Sequence, residues 1–156
     1  MNLDTLFAIL NAGVLPFWLL LVVAPRWAWT QRLVHSIAIP VLYGSIYVVM
    51  LTSAPSAPEG ASMSSLDGVV ALLSIREAAL AGWIHYLVFD LFVGAWITRD
   101  AARRGIHHGF VVPCLVFTLM LGPMGLLLYS VLRAAMRRIA TLDESVSAEV
   151  PVQAAA

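Results

Sequence analysis

Lysine is missing from this sequence: its nine basic side chains are all arginine, balanced by nine acidic ones for a formal charge of zero. Charge of any kind is scarce, at 12% of residues, so there is no basic footprint for nucleic acid, and no phosphate-binding loop is present. The single cysteine, Cys114, excludes an internal disulfide and a thiolate metal site of the usual kind, and it reads as a small packing residue. No leader is evident either. Asp4 rather than a positive stretch precedes the first apolar run, and no small-residue cleavage site follows it, so that run is expected to be a retained helix.

What the chain has is apolar length. Hydrophobic residues make up 61% of it and mean hydropathy is +0.89, outside the range of soluble domains. A hydrocarbon core needs roughly 20 apolar residues per crossing. Four stretches qualify, approximately Leu6 to Ala24, Leu33 to Thr52, Ile75 to Thr98 and Phe110 to Leu132. Backbone groups cannot stay unpaired in lipid, so each is expected to be helical, and the short connections predict an antiparallel bundle. The expected fold is all-α: an integral membrane protein, a four-transmembrane-helix bundle over residues 1–138. A short interfacial helix, marked by Leu66, Val69, Val70 and Leu73, precedes the third span, and a disordered tail fills residues 139–156.

Pro16, Pro40, Pro113 and Pro123 fall inside the first, second and fourth spans and predict kinks there. The third span has no proline. Ser74-Ile75-Arg76-Glu77 has the spacing of a capping box and sets its expected start. Arg26, Arg32, Arg99, Arg103 and Arg104 fall on one side of such a bundle, and Arg76, Arg133, Arg137 and Arg138 on the other. The positive-inside rule then gives little direction, with a slight lean toward both termini outside the cytoplasm.

The proline-free span carries the chemistry. Gly82 to Asp100, GWIHYLVFDLFVGAWITRD, is apolar enough for a bilayer yet holds His85 and Asp90 near its middle. An ionised aspartate at the bilayer centre costs at least about 2.5 kcal/mol, so a membrane carboxylate marks a function or a satisfied network. At 100° per residue His85 shares a face with Gly82, Phe89, Phe92 and Trp96, and Asp90 with Trp83, Gly94 and Ile97. The two faces diverge by roughly 140°. No dyad within the helix is expected, and each residue should find its partner on a neighbouring helix, from Asn11, Tyr43, Ser45, Tyr47 or Thr118.

Blander and rival readings stand beside this one. Asp90 and His85 could simply lock the bundle through hydrogen bonds. Imidazoles on facing helices could hold a haem, with His35 as the partner open to His85. His107 and His108 with the nearby arginines suit lipid head groups or an anionic partner, or a solvated loop. Gly122-Pro123-Met124-Gly125 permits a kink and a close backbone approach, to another helix or to a flat ligand. Trp27 and Trp29 read as an interfacial belt, whereas Trp83 and Trp96 could line a groove for a conjugated chain.

Several blocks carry a family resemblance. Leu15-Pro16-Phe17-Trp18, Ala24-Pro25-Arg26-Trp27, Gly82-Trp83-Ile84-His85-Tyr86-Leu87, Phe89-Asp90-Leu91-Phe92-Val93-Gly94 and Gly122-Pro123-Met124-Gly125-Leu126-Leu127 resemble the plant abscisic-acid-deficient-four family. Those are multi-pass chloroplast membrane proteins required for neoxanthin synthesis. With no transit peptide and an arginine-only basic set, this chain looks like a bacterial relative, in an inner membrane. The resemblance implies a cofactor-free isomerisation of an epoxy-carotenoid to an allenic one, in which an acid serves the epoxide oxygen and a base takes a polyene proton. Asp90 and His85 are the residues expected in those catalytic roles. Asn11, Trp18, Trp83, Phe89, Trp96, Gly122 and Pro123 are expected to bind the substrate. The implied partners are a carotenoid or other isoprenoid and membrane lipids, and self-association stays open. A carotenoid-binding protein without turnover, a structural subunit and a small proton-coupled transporter with Asp90 as relay remain the alternatives.

Overall fold

The computed structural model describes Asn2 to Leu142, and among these residues it is helical with no strand. The elements are α1 (Leu3–Val23), α2 (Ala28–Leu33), α3 (Ala38–Ser53), α4 (Leu66–Leu73), α5 (Arg76–Arg103), α6 (His108–Leu121) and α7 (Pro123–Arg137). Three stretches are long and apolar enough to cross a membrane: Leu3–Val23, Ala28–Ser53 and Arg76–Arg103. The polarity pattern is inverted relative to a soluble protein. Ile9, Leu19, Val23, Ile37, Phe92 and Leu127 are more than half exposed, while Asp100, Arg104 and Arg133 are buried.

Helix α1 begins where Asn2 accepts the Asp4 N–H, and it buries Leu6, Leu10, Val14, Trp18 and Leu21 in one stripe of helical period. That stripe packs on Leu80, Ile84, Leu87 and Leu91 of α5. The two helices run parallel. Asp4 pairs with Arg76, Asn11 with Trp83, and Trp18 rests on Gly94, in the same order along both. A methyl group on Gly94 would come within 2.7 Å of the Trp18 ring, so only glycine allows this approach. Helix α3 covers another side of α5, and its Tyr43 hydroxyl donates to the Leu10 carbonyl of α1 at 3.0 Å.

The last apolar run departs from expectation. The single crossing foreseen from Phe110 to Leu132 is two helices that fold back on each other at Gly122. Pro123 has no N–H with which to continue α6, and it occupies the first position of α7, where none is needed. Gly122 takes φ +49°, a region that L side chains avoid. Gly125 then lets α7 lie on α6, since a Cβ there would overlap Thr118 Oγ1. Helix α6, at 14 residues, rises about 21 Å, short of the roughly 30 Å hydrocarbon core. The outer end of α7 meets the end of α5, where α6 also sets out: Arg137 donates to the Gly105 carbonyl, and Arg133 pairs with Asp100. Its tip reaches Asp90, near the middle of α5.

Smaller expectations change as well. Ser74 does not cap α5; it closes α4, with its hydroxyl donating to the Ala71 carbonyl, and Ile75 caps α5 without a side-chain bond. Only Ser74 and Ile75 separate the two helices, so the serine is already engaged. Pro40 lies in the first turn of α3, where the missing N–H has no helical acceptor, so it produces no interior kink. Pro16 and Pro113 are within helices, as expected. Residues 143–156 of the expected tail lie outside the described residues.

The fold-back also regroups the charge. Arg26, Arg32, Arg99, Arg103, Arg104, Arg133, Arg137 and Arg138 come to one end of the molecule, and Arg76 stands alone at the other with Asp4. The even division foreseen for four crossings is lost, and the chain's two described ends face opposite sides. In a Cys114→Ala background, single cysteines at Ser56 and Ala140 should therefore react with a membrane-impermeant maleimide from opposite sides of the membrane. Labelling from the same side would restore a fourth crossing.

Candidate functional site

Helix α5 places Asp90 halfway along its length, half-buried, where it faces the hairpin tip. Tyr86, one turn earlier, donates its hydroxyl to the Asp90 carboxylate. The second oxygen, Oδ2, is buried with no hydrogen-bond partner among the described residues. Gly122 stands directly behind it, and a Cβ there would come within 2.9 Å of Oδ1 and 3.2 Å of Oδ2. The carboxyl thus lies at the start of α7, where the helix dipole favours negative charge.

An aromatic strip leads away from this carboxyl. Tyr86 stacks on Trp83 with centroids 5.3 Å apart, and the Trp83 indole N–H donates to Asn11 Oδ1 at 3.2 Å, with Phe7 beyond it. Asn11, Trp83, Tyr86, Asp90 and Gly122 therefore form one line across α1, α5 and the hairpin. Pro123 is exposed beside it. On the outer side of α1, Leu15, Pro16, Trp18 and Leu19 form an apolar groove of about 560 Å³ with Leu119, one turn before Gly122.

The remaining expected residues lie elsewhere. His85 is exposed on the other side of α5, stacked on Phe89 at 4.3 Å and tilted against Tyr47 of α3 at 6.3 Å. The divergence of the His85 and Asp90 faces is thus as the helical period foresees. The expectation that Asp90 bonds to a neighbouring helix is not met, since its donor is Tyr86 on its own helix. Trp18 is buried against Gly94 as packing. Trp96 belongs to the arginine end, edge-on to Tyr129 with the Arg133 guanidinium 5.8 Å from its ring. The haem pairing is excluded by distance. His35 lies 2.8 Å from Arg99, which is 14 residues, or about 21 Å, along α5 from His85.

A second constellation was not foreseen. Asp100 is fully buried and accepts from Arg104 Nε at 2.9 and 3.1 Å and from the Tyr129 hydroxyl at 2.6 Å, with Arg133 Nε 3.3 Å away. Arg103 adds a longer contact at 3.6 Å. Sequence spacing does hold a signal for it: Asp100 and Arg104, and Tyr129 and Arg133, are both pairs four residues apart that share a helix face. The signal was masked because Asp100 and its arginines read as a solvated helix exit.

The sequence matches the family described as ABA DEFICIENT 4-like over residues 5–129, which takes in nearly all of α1, α2 to α6, the first half of α7, and both Asp90 and Asp100. The chain belongs to the ABA DEFICIENT 4-like family. It is 29% identical over 140 residues to a protein named Protein ABA DEFICIENT 4, chloroplastic, from Arabidopsis thaliana. That alignment takes in 84% of this chain and 61% of the plant protein, so the chain spans somewhat under two thirds of its relative's length. No solved structure matches it.

The two carboxylates should separate in stability. Asp100→Asn leaves buried arginines without their counter-charge and should cost about 3 to 5 kcal/mol. Asp90→Asn, whose site holds one hydrogen bond, should cost no more than about 1 kcal/mol. Thermal unfolding of both variants in detergent checks this order, and equal losses would contradict it.

Proposed function

We propose that the protein crosses the membrane three times, with the α6–α7 hairpin entering from the arginine-rich end and α4 lying along the opposite interface. Eight arginines at one end favour its placement on the cytoplasmic side or the topologically equivalent one. Leu66, Val70 and Leu73 of α4 are exposed and apolar, as an interfacial helix requires.

Within that frame we infer that the Asp90 site acts on a carotenoid-like isoprenoid as a cofactor-free acid/base isomerase. One observation carries the reading: a carboxyl halfway along a membrane-crossing helix, with one oxygen held by Tyr86 and the other unpartnered, at the end of an aromatic strip. Such a carboxyl is costly to leave in a bilayer and suits a proton donor. Family membership supports a carotenoid as the ligand, and Trp83 and Tyr86 offer a flat face to a polyene. In the conversion of an epoxy-carotenoid to an allenic one, Asp90 would protonate the epoxide oxygen as the carbon–oxygen bond opens. A proton then leaves the adjacent polyene carbon, so that the product is an isomer of the substrate. His85 would accept that proton from a polyene that runs across α5, with Phe89 beside it. Asn11 holds Trp83 in place through its amide oxygen.

The decisive comparison is pigment chromatography from a violaxanthin-supplied host that makes either the native chain or Asp90→Asn. A new allenic product is expected with the native chain alone, falling at least about a hundredfold in the variant, as for loss of a general acid. Pigment that co-purifies with both proteins, without conversion by either, would replace turnover with binding. An unchanged pigment profile and no bound pigment, with both proteins well expressed, would sink the carotenoid reading.

A further inference from the structure

The arginine-rich end holds a cavity of about 250 Å³ that the Asp90 site does not use, enclosed by the loop after α1, by α2, the last turn of α5 and the start of α6. Arg26, Arg99, Arg103, His35, His108 and Gln31 line it, and among the described residues no acidic side chain does. His35 supplies a second observation. Its Nδ1 lies 2.8 Å from Arg99, and because arginine can only donate, Nδ1 is the acceptor and Nε2 of the neutral ring carries the proton. That Nε2 is buried with no hydrogen-bond partner among the described residues, a donor waiting for an acceptor.

His35 and Arg99 are also the start of a second cavity, about 210 Å³, which continues between α3 and α5 along Ile39, Val88, Leu91 and Phe92. A basic chamber thus adjoins an apolar groove across the His35–Arg99 pair. Trp27 and Trp29, half exposed next to it, set its level at the membrane interface. We propose that these adjoining cavities bind an anionic phospholipid, its phosphate in the basic chamber and one acyl chain in the groove. A phosphodiester presents acceptors to the arginine forks and to His35 Nε2 together. A carotenoid has no charge to match the chamber, so this lipid would be a separate ligand from the one at Asp90.

The test is native mass spectrometry of the full chain in detergent, titrated with phosphatidylglycerol, phosphatidylcholine or inorganic phosphate. Phosphatidylglycerol should bind about tenfold tighter than phosphatidylcholine, and Arg26→Gln and Arg99→Gln should each lose about tenfold, as for one charge-assisted hydrogen bond. Arg32→Gln removes the same charge at the same end, but its guanidinium lies over Trp29 and does not line the cavity, so it should lose little. Equal losses in Arg26→Gln and Arg32→Gln would show diffuse surface attraction and overturn the proposal. Displacement of phosphatidylglycerol by inorganic phosphate at comparable concentration would also overturn it, assigning the chamber to a free anion. Arg26 is exposed, so its variant tests the idea even where Arg99→Gln fails to fold.

Discussion

Asp100 is the contact on which the second half of the molecule depends. It is fully buried near the end of α5, and it gathers Arg104 from its own helix together with Tyr129 and Arg133 from α7. A carboxylate without partners at that depth would be expensive, and so would the two arginines. Joined, they offset one another and fix where the returning helix must end. Helix α7 therefore runs back to the end of α5 from which α6 set out. The tip of the hairpin is left near the middle of α5, against Asp90.

Gly122 is where the two carboxylates become linked. Its positive φ turns the chain, Pro123 starts the next helix, and the absence of a side chain lets the backbone lie within reach of Asp90. The turn that makes the hairpin thus backs directly onto the Asp90 carboxylate. A change at the Asp100 end that released α7 would open the surroundings of Asp90 without touching it.

Much of this was legible in the sequence. Apolar length gave the helices and the membrane, and Asp90 stood out because a charge in an apolar run is costly. The resemblance of Gly82 to Gly94 to a known family agreed with the family match over residues 5–129. The fold-back was not legible, for a physical reason. A span and a re-entrant hairpin have the same composition, and hydropathy along Phe110 to Leu132 does not register direction. Gly122-Pro123 signalled a break whose angle depends on what the following helix finds, and it finds Asp100. Tyr86 does have a sequence signal, since its place four residues before Asp90 puts the two on one helix face. His85 lies on the face that the helical period assigns it, away from Asp90, so the two can serve one substrate only if it runs across α5.

The hairpin also bears on how the chain is made. In the proposed three-crossing arrangement, with the arginine-rich end on the side of synthesis, α6 and α7 would enter and leave the bilayer by the same face, and neither Arg133 nor Arg137 would be carried through it. Apart from the first few residues, the segment to be translocated would then be the one between α3 and α5, whose charges are Glu59 and Asp67, with Arg76 at the start of α5 the one arginine to cross. The insertion machinery would thus move almost no positive charge, and the last two helices could dock late, onto a completed three-helix frame.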